Sequence, residues 1–176
     1  VGSAQAVVSS TSASDWVLNP GDFGGAFDGV AKLLFSNSTG NYVCSGSLLA
    51  GGQYVLTAAH CADDFTSMTA DFKLGSVSAN VVSATVHSGW DGTLGTGADI
   101  AVLRLDRTIT GIEGFTLSNT NDVGKNILLA GYGVVGTGST GGVDFDRDAP
   151  GSLPRDWRPH FGYNTIDITD YELTEG

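Results

Sequence analysis

Short apolar runs separated by polar turns make up the chain from Gly29 to Leu105. The turns are rich in Gly, Ser, Asn and Asp, which favour chain reversal, and no repeat of roughly 20 to 50 residues indicates a solenoid. Runs of this length and spacing are typical of antiparallel strands that close into a barrel. We therefore predict an all-β fold. The predicted strands are Gly29–Phe35, Tyr42–Leu49, Gln53–Thr57, Phe72–Leu74, Ala79–His87 and Ile100–Leu105.

The chain divides into three segments by composition. Residues 1–28 are rich in Ser, Ala and Gly and are predicted to form an N-terminal arm, with Trp16 and Phe23 as its anchoring side chains. Residues 29–118 hold the strand runs and form the predicted barrel, and a boundary near Asn119 opens a last segment, 119–176.

The last segment has fewer strand signals than the barrel. An apolar strand is predicted at Asn126–Gly131, followed by a long loop rich in Gly and Asp at Gly133–Pro154. Alternating residues predict another strand at Phe161–Ile168, and Asp170–Gly176 is an acidic end.

Charge and composition exclude some partners. Across 176 residues the net charge is −11 with only eight Lys and Arg, so the chain lacks the positive surface that binds nucleic acid or anionic membranes. No apolar run reaches the roughly 18 residues of a membrane-spanning helix, and no signal peptide opens the sequence. Val1 therefore suggests a processed end. Two cysteines in a Gly-rich chain with few charges fit a secreted protein, extracellular or periplasmic.

One segment carries strong chemical information. Its residues are Cys44-Ser45-Gly46-Ser47-Leu48-Leu49, a turn at Gly51-Gly52, and Tyr54-Val55-Leu56-Thr57-Ala58-Ala59-His60-Cys61. This long run closely resembles the histidine segment of the chymotrypsin/trypsin-like serine proteases. The resemblance implies a double β-barrel in which the first barrel is complete here and the second is only begun.

The same resemblance assigns roles to His60 and to both cysteines. A neutral imidazole accepts a hydroxyl proton and returns it near neutral pH, so His60 is implied to be a general base and then a general acid. A disulfide between Cys44 and Cys61 is implied to fix the turn that presents His60. The alternative is a core histidine beside two free, buried cysteines.

A second segment supplies a carboxylate. Asp99 opens the run Asp99-Ile100-Ala101-Val102-Leu103-Arg104-Leu105, and His87-Ser88-Gly89-Trp90-Asp91 stands 12 residues before it. Both resemble the aspartate segment of the same family, which implies that Asp99 accepts the imidazole N–H and orients the base. Taken alone, Asp99 could instead cap a turn, and Trp90 is most simply a packing residue.

The family's nucleophilic serine segment does not occur in these residues. Gly131-Tyr132-Gly133 resembles the Gly-Trp-Gly that opens the second barrel, but Gly-Asp-Ser-Gly-Gly-Pro is absent. The look-alike Gly138-Ser139-Thr140-Gly141-Gly142-Val143 lies too early for the family's order and is interpreted as a loop. We therefore expect this chain alone to be inactive.

Two interpretations of the missing serine remain open. The chain could be the N-terminal product of proteolytic processing, or a truncated form, of a serine endopeptidase whose C-terminal chain supplies the serine and whose substrates are proteins or peptides. Alternatively, it could be a catalytically inactive, protease-like binding module. Outside these two interpretations, the chain could be an unrelated secreted β-protein.

Neither a metal nor another cofactor is predicted. His87 and His160 lack the spacing of a zinc site. Asp144, Asp146 and Asp148 alternate as in the start of a calcium loop, but they lack its Gly and distal Glu, so a solvated loop is the prediction.

Overall fold

The computed structural model describes residues 8–9, 13–19, 21–94, 98–133, 135–137, 141–143 and 158–166. Its strands are β1 (Val8–Ser9), β2 (Val30–Asn37), β3 (Gly40–Leu48), β4 (Tyr54–Thr57), β5 (Ser67–Phe72), β6 (Val77–Val86), β7 (Ala101–Leu105), β8 (Asn126–Gly131), β9 (Val135–Thr137), β10 (Gly141–Val143) and β11 (His160–Thr165). Short 3-10 turns lie at Ala13–Trp16, Asp22–Gly25, Ala59–Cys61 and Lys73–Gly75.

Six of these strands close into a barrel in the order β2, β3, β4, β7, β6, β5. Every neighbouring pair in the barrel is antiparallel, and β5 pairs back onto β2, so the ring has no open edge. The prediction of an all-β fold with an antiparallel barrel is confirmed.

The barrel interior is filled by the inward residues of each strand. In β7 the side chains of Ala101, Leu103 and Leu105 are buried, whereas those between them are more exposed, which is the period-2 alternation of a strand with one buried face. Each fully buried large side chain contributes about 1.5–3 kcal/mol relative to an exposed one. The largest of them are Phe72, Leu33, Leu48, Leu103, Leu105 and Val55.

The strand predicted at Phe72–Leu74 is misplaced. The strand is Ser67–Phe72, where Met68, Ala70 and Phe72 alternate as buried positions. It ends because Lys73 and Leu74 have positive φ angles of 48° and 54°, a conformation that takes the chain out of the sheet.

Beyond the barrel, β8 and β11 form an antiparallel pair and β1, β9 and β10 form a small sheet. The strand predicted at Asn126–Gly131 is confirmed with the same bounds. The pairing of β9 with β10 shows that the predicted loop at Gly133–Pro154 contains strand structure. Most of that stretch, including Asp144, Asp146 and Asp148, lies outside the described residues, as do the end of the strand predicted at Phe161–Ile168 and the acidic end.

The N-terminal arm packs against β11. The ring of Trp16 meets the rings of Phe161 and Tyr163 edge-on, with centroids 5.6 and 6.5 Å away, and Phe23 meets Phe161 at 5.2 Å. The arm therefore contacts the part of the chain after the barrel, through the two aromatic residues predicted to anchor it. Among the described residues, no helix has the length and apolar character needed to cross a membrane.

Candidate active site

His60 lies in a tight turn at the end of β4. The strand ends at Thr57, and Ala59–Cys61 form one turn of 3-10 helix in which the N–H groups of Ala62 and Asp63 donate to the Ala59 carbonyl at 2.8 and 3.0 Å. Ala59 and Cys61 are buried on either side of His60. Because its neighbours point into the core, the imidazole faces outward, with 36% of the side chain exposed.

The predicted disulfide is present and anchors this turn. Cys44 in β3 is bonded to Cys61 in the turn, with 6.4 Å between their Cα atoms and a sequence separation of 17. A crosslink that closes a loop of this size stabilises a fold by about 3 kcal/mol, largely because it restricts the conformations of the unfolded chain. The turn carrying His60 is thus covalently attached to the barrel wall.

Asp99 lies just before β7, and both of its carboxylate oxygens bind the same residue. Oδ1 accepts the backbone N–H of His60 at 2.9 Å, and Oδ2 lies 2.7 Å from His60 Nδ1. A three-residue turn, closed by the Ile100 N–H donating to the Ala98 carbonyl at 2.8 Å, presents the carboxylate. The structure therefore brings together the two residues that the sequence singled out.

The surroundings of Asp99 favour its ionised form. Burial raises the pKa of its carboxyl group, but the hydrogen bonds from the His60 backbone and ring, the attraction of a charged imidazole and the Ala59 N–H together outweigh burial and lower the pKa. An ionised Asp99 holds the proton of His60 on Nδ1. The other ring nitrogen, Nε2, is then left as the basic atom.

A second polar contact joins the segments that carry His60 and Asp99. The indole N–H of Trp90 donates to Asp63 Oδ2 at 2.7 Å, and the ring itself packs against the barrel core. The sequence predicted only a packing role for Trp90. The residue pattern gives no signal for the Asp63 contact, because the two positions are 27 apart and meet only through the fold.

Ser45 connects the barrel to the segment after β8. Its Oγ accepts the Tyr132 N–H at 2.7 Å and donates to the Tyr132 carbonyl at 3.0 Å, across 87 positions. The Tyr132 ring lies over the buried side chain of Lys32, with Nζ 5.8 Å from the ring centroid, and burial followed by the nearby Asp71 charge raises the pKa of Tyr132. Gly131-Tyr132-Gly133 is thus attached directly to β3.

One group of side chains has the residue types of a metal site. Potential ligand atoms of Cys44, His60 and Cys61 lie within 4.8 Å of one another. Both sulfurs are joined in the disulfide, so neither is the thiolate that a metal requires. His87 Nδ1 accepts the Gly89 N–H at 3.1 Å, and His160 is buried in β11.

Comparison with known proteins shows the family of this chain. A sequence model of the family described as Trypsin matches residues 22–145, which is more than half of the chain. The chain belongs to the trypsin family. The resemblance drawn from the His60 and Asp99 segments is confirmed, and so is the fold of a closed barrel with a second, partial one.

Trypsin-family solved structures share this fold. HL collagenase is 18% identical with a TM-score of 0.65, over 85% of this chain and 61% of that one. Neuropsin, a serine protease expressed in the limbic system of mouse brain, is 17% identical with a TM-score of 0.57, over 84% and 61%. The protease Anisep from Arthrobacter nicotinovorans is 16% identical with a TM-score of 0.57, over 85% and 66%.

These identities show the fold alone. The chain spans about three fifths to two thirds of the length of each of these structures. A search of curated protein sequences gives no match.

Proposed function

We propose that this chain is the part of a serine endopeptidase that supplies the general base and its orienting carboxylate. The observation that carries the proposal is the His60–Asp99 pair, in which Nδ1 and Oδ2 lie 2.7 Å apart while the imidazole stays partly exposed. An outward ring with its proton held on Nδ1 is suited to accept a proton at Nε2 from a hydroxyl above the barrel.

In this mechanism a serine from outside the chain attacks the peptide carbonyl. His60 Nε2 takes the serine proton as the Oγ–C bond forms, and the imidazolium then gives that proton to the leaving amine as the C–N bond breaks. Asp99 stays ionised and stabilises the imidazolium. In the second half of the reaction, water attacks the acyl-enzyme carbonyl and gives its proton to His60 Nε2. The imidazolium then returns that proton to the serine Oγ as the acyl C–O bond breaks and the acid leaves.

The partner in this proposal is a C-terminal polypeptide of the same precursor that completes the second barrel. Two features support it: the chain lacks a Gly-Asp-Ser-Gly-Gly segment, and it spans less than two thirds of each compared protease. The 176 residues alone would then be inactive. The disulfide and the family suggest a secreted protein acting on protein or peptide substrates.

A catalytically inactive binding module is the competing function. The paired His60 and Asp99 favour the enzyme, because a binding surface has no need for a carboxylate that engages one histidine through both oxygens. Neither packing nor stability requires that arrangement, since a polar pair of this kind is weak support for a fold.

The test is labelling of the protein purified from its native source with a serine-directed fluorophosphonate, followed by denaturing intact-mass analysis. We expect a second polypeptide that carries one adduct, and we expect His60→Ala to slow its labelling by about 10²- to 10⁴-fold. Detection of only an unlabelled 18.1 kDa chain would contradict the proposal and favour the binding module. Asp106→Ala, beyond the far end of β7, serves as the control and should label normally.

A further inference from the structure

The turn after β6 binds one neighbour of Asp99 and lies close to the other. This turn comprises His87, Ser88, Gly89 and Trp90, and the Trp90 N–H closes it by donating to the His87 carbonyl at 3.0 Å. The His87 N–H donates to the Ile100 carbonyl at 2.9 Å, directly after Asp99. A Cβ added at Gly89 would lie 3.3 Å from Ala98 Cβ, directly before Asp99.

The same turn reaches the segment that carries His60. The Trp90 indole N–H donates to Asp63 Oδ2 at 2.7 Å, and the Asp63 N–H donates to the carbonyl of Ala59, next to His60, at 3.0 Å. The contact between Trp90 and Asp63, here named the indole bridge, therefore completes a ring of contacts that includes the His60–Asp99 pair.

Strand pairing does not reach either member of that pair. The pairing of β4 with β7 ends at Thr57 and Ala101, and both His60 and Asp99 lie beyond it. The 2.7 Å separation of Nδ1 and Oδ2 therefore depends on contacts outside the strand pairing, one of which is the His60 N–H on Asp99 Oδ1. The disulfide anchors the His60 turn to β3, and β3 is not the segment that carries Asp99.

We propose that Trp90 and Asp63 are positioning residues, and that the indole bridge acts together with the His60 N–H on Asp99 Oδ1 to fix the distance between Asp99 and His60. The indole supplies a rigid donor on a ring held by the core, and the exposed Asp63 supplies a charged acceptor that strengthens the hydrogen bond. The bridge acts on the His60–Asp99 pair through the two segments that carry these residues. Its importance for catalysis rests on the proposed function, whereas its effect on the His60–Asp99 hydrogen bond does not.

The experiment measures that hydrogen bond by NMR in the 176-residue chain. The observable is the rate at which the His60 Nδ1 proton, held by Asp99, exchanges with water. Trp90→Phe keeps the packed ring and removes the N–H, and Asp63→Ala removes the acceptor at an exposed site where the core is not disturbed. We expect either variant to accelerate exchange about tenfold, and the double variant to exchange no faster than the single ones.

The control is Asp106→Ala, which removes an exposed carboxylate that accepts hydrogen bonds from the Asn80 side chain at 2.7 Å and from the Asn80 N–H at 3.2 Å. Asp106 follows β7 at the end opposite Asp99, so the His60 proton should exchange at the wild-type rate. Unchanged exchange in both bridge variants would overturn the proposal. So would equal acceleration in the control, because the cause would then be general loosening of the barrel.

A second measurement covers the case in which the wild-type proton exchanges too fast to observe. The nitrogen-15 shifts of the His60 ring report whether the proton sits on Nδ1 or Nε2. A shift toward the Nε2–H form in both bridge variants supports the proposal, and identical shifts in all variants overturn it. Either result is independent of fluorophosphonate labelling, so failure of the indole bridge and failure of the protease proposal are distinguishable.

Discussion

Asp99 contacts both the backbone N–H and the ring of His60, and the two contacts have different effects. The backbone N–H on Oδ1 fixes where the carboxylate sits relative to the turn, and the ring Nδ1 on Oδ2 fixes the imidazole plane. Rotation of the ring would break only the second contact. Asp99 therefore orients the His60 ring, while its own position is held by the His60 backbone N–H.

This arrangement predicts how acid affects the fold. Because hydrogen bonds and charge lower the pKa of Asp99 below its ordinary value of 3.8, its ionisation stabilises the folded state. That contribution is fully present above pH 3.8 and is lost as pH falls through the lower pKa of the folded state. We expect the stability gap between wild type and Asp99→Asn, measured by urea unfolding, to be present at neutral pH and to shrink below pH 3.8. A gap that does not change with pH would contradict this origin.

Gly131 and Ser45 give a second prediction at the residue scale. Gly131 does not have a positive φ, but a Cβ there would lie 2.8 Å from Ser45 Oγ, closer than atoms pack. We expect Gly131→Ala to lower the free energy of unfolding by about 1–2 kcal/mol, because Ser45 must move and lose its bonds to Tyr132. In a Ser45→Gly background the same substitution should cost much less in denaturant unfolding. An equal cost in both backgrounds would show that Ser45 is not the obstacle.

At the scale of elements, the sequence predicted what depends on local pattern. The alternation of apolar and polar residues and the turn residues located most of the barrel strands. The segments around His60 and Asp99 indicated the candidate site residues. The strand before Lys73 was misplaced because its end depends on two positive φ angles that no residue type there demands. The contacts of Ser45 with Tyr132 and of Trp90 with Asp63 join distant positions, so only the folded chain shows them.

The disulfide is the element that attaches the His60 turn to β3, and its removal should be measurable. We expect the Cys44→Ala, Cys61→Ala double variant to lose about 3 kcal/mol in guanidinium unfolding, since the unfolded chain regains the freedom of a loop spanning 17 positions. Reduction of the wild-type protein should give a similar loss. The same reductant should leave the double variant unchanged, and a loss well below about 1 kcal/mol would mean that other contacts hold the turn.

At the scale of the molecule, the two halves differ in completeness. The first barrel closes on itself around a buried core, whereas the described part of the second half holds β8 paired only with β11. Leu129 and Tyr163 on this pair remain 43% and 66% exposed. A two-stranded pair with exposed apolar side chains has little stability of its own and depends on its contacts with the arm and the barrel.

Amide hydrogen exchange should reveal this difference. Amides of the barrel strands β2 to β7 are expected to open only with global unfolding, because every one of these strands is paired on both sides around one core. Amides of β8 and β11 should exchange at least about 10²-fold faster, since partial opening exposes them without disturbing the barrel. If a C-terminal polypeptide completes the second barrel, its addition should slow exchange in β8 and β11 and leave β2 to β7 unchanged. Equal protection of both halves in this chain would show that the β8–β11 pair is already stabilised, which would remove the need for a completing polypeptide.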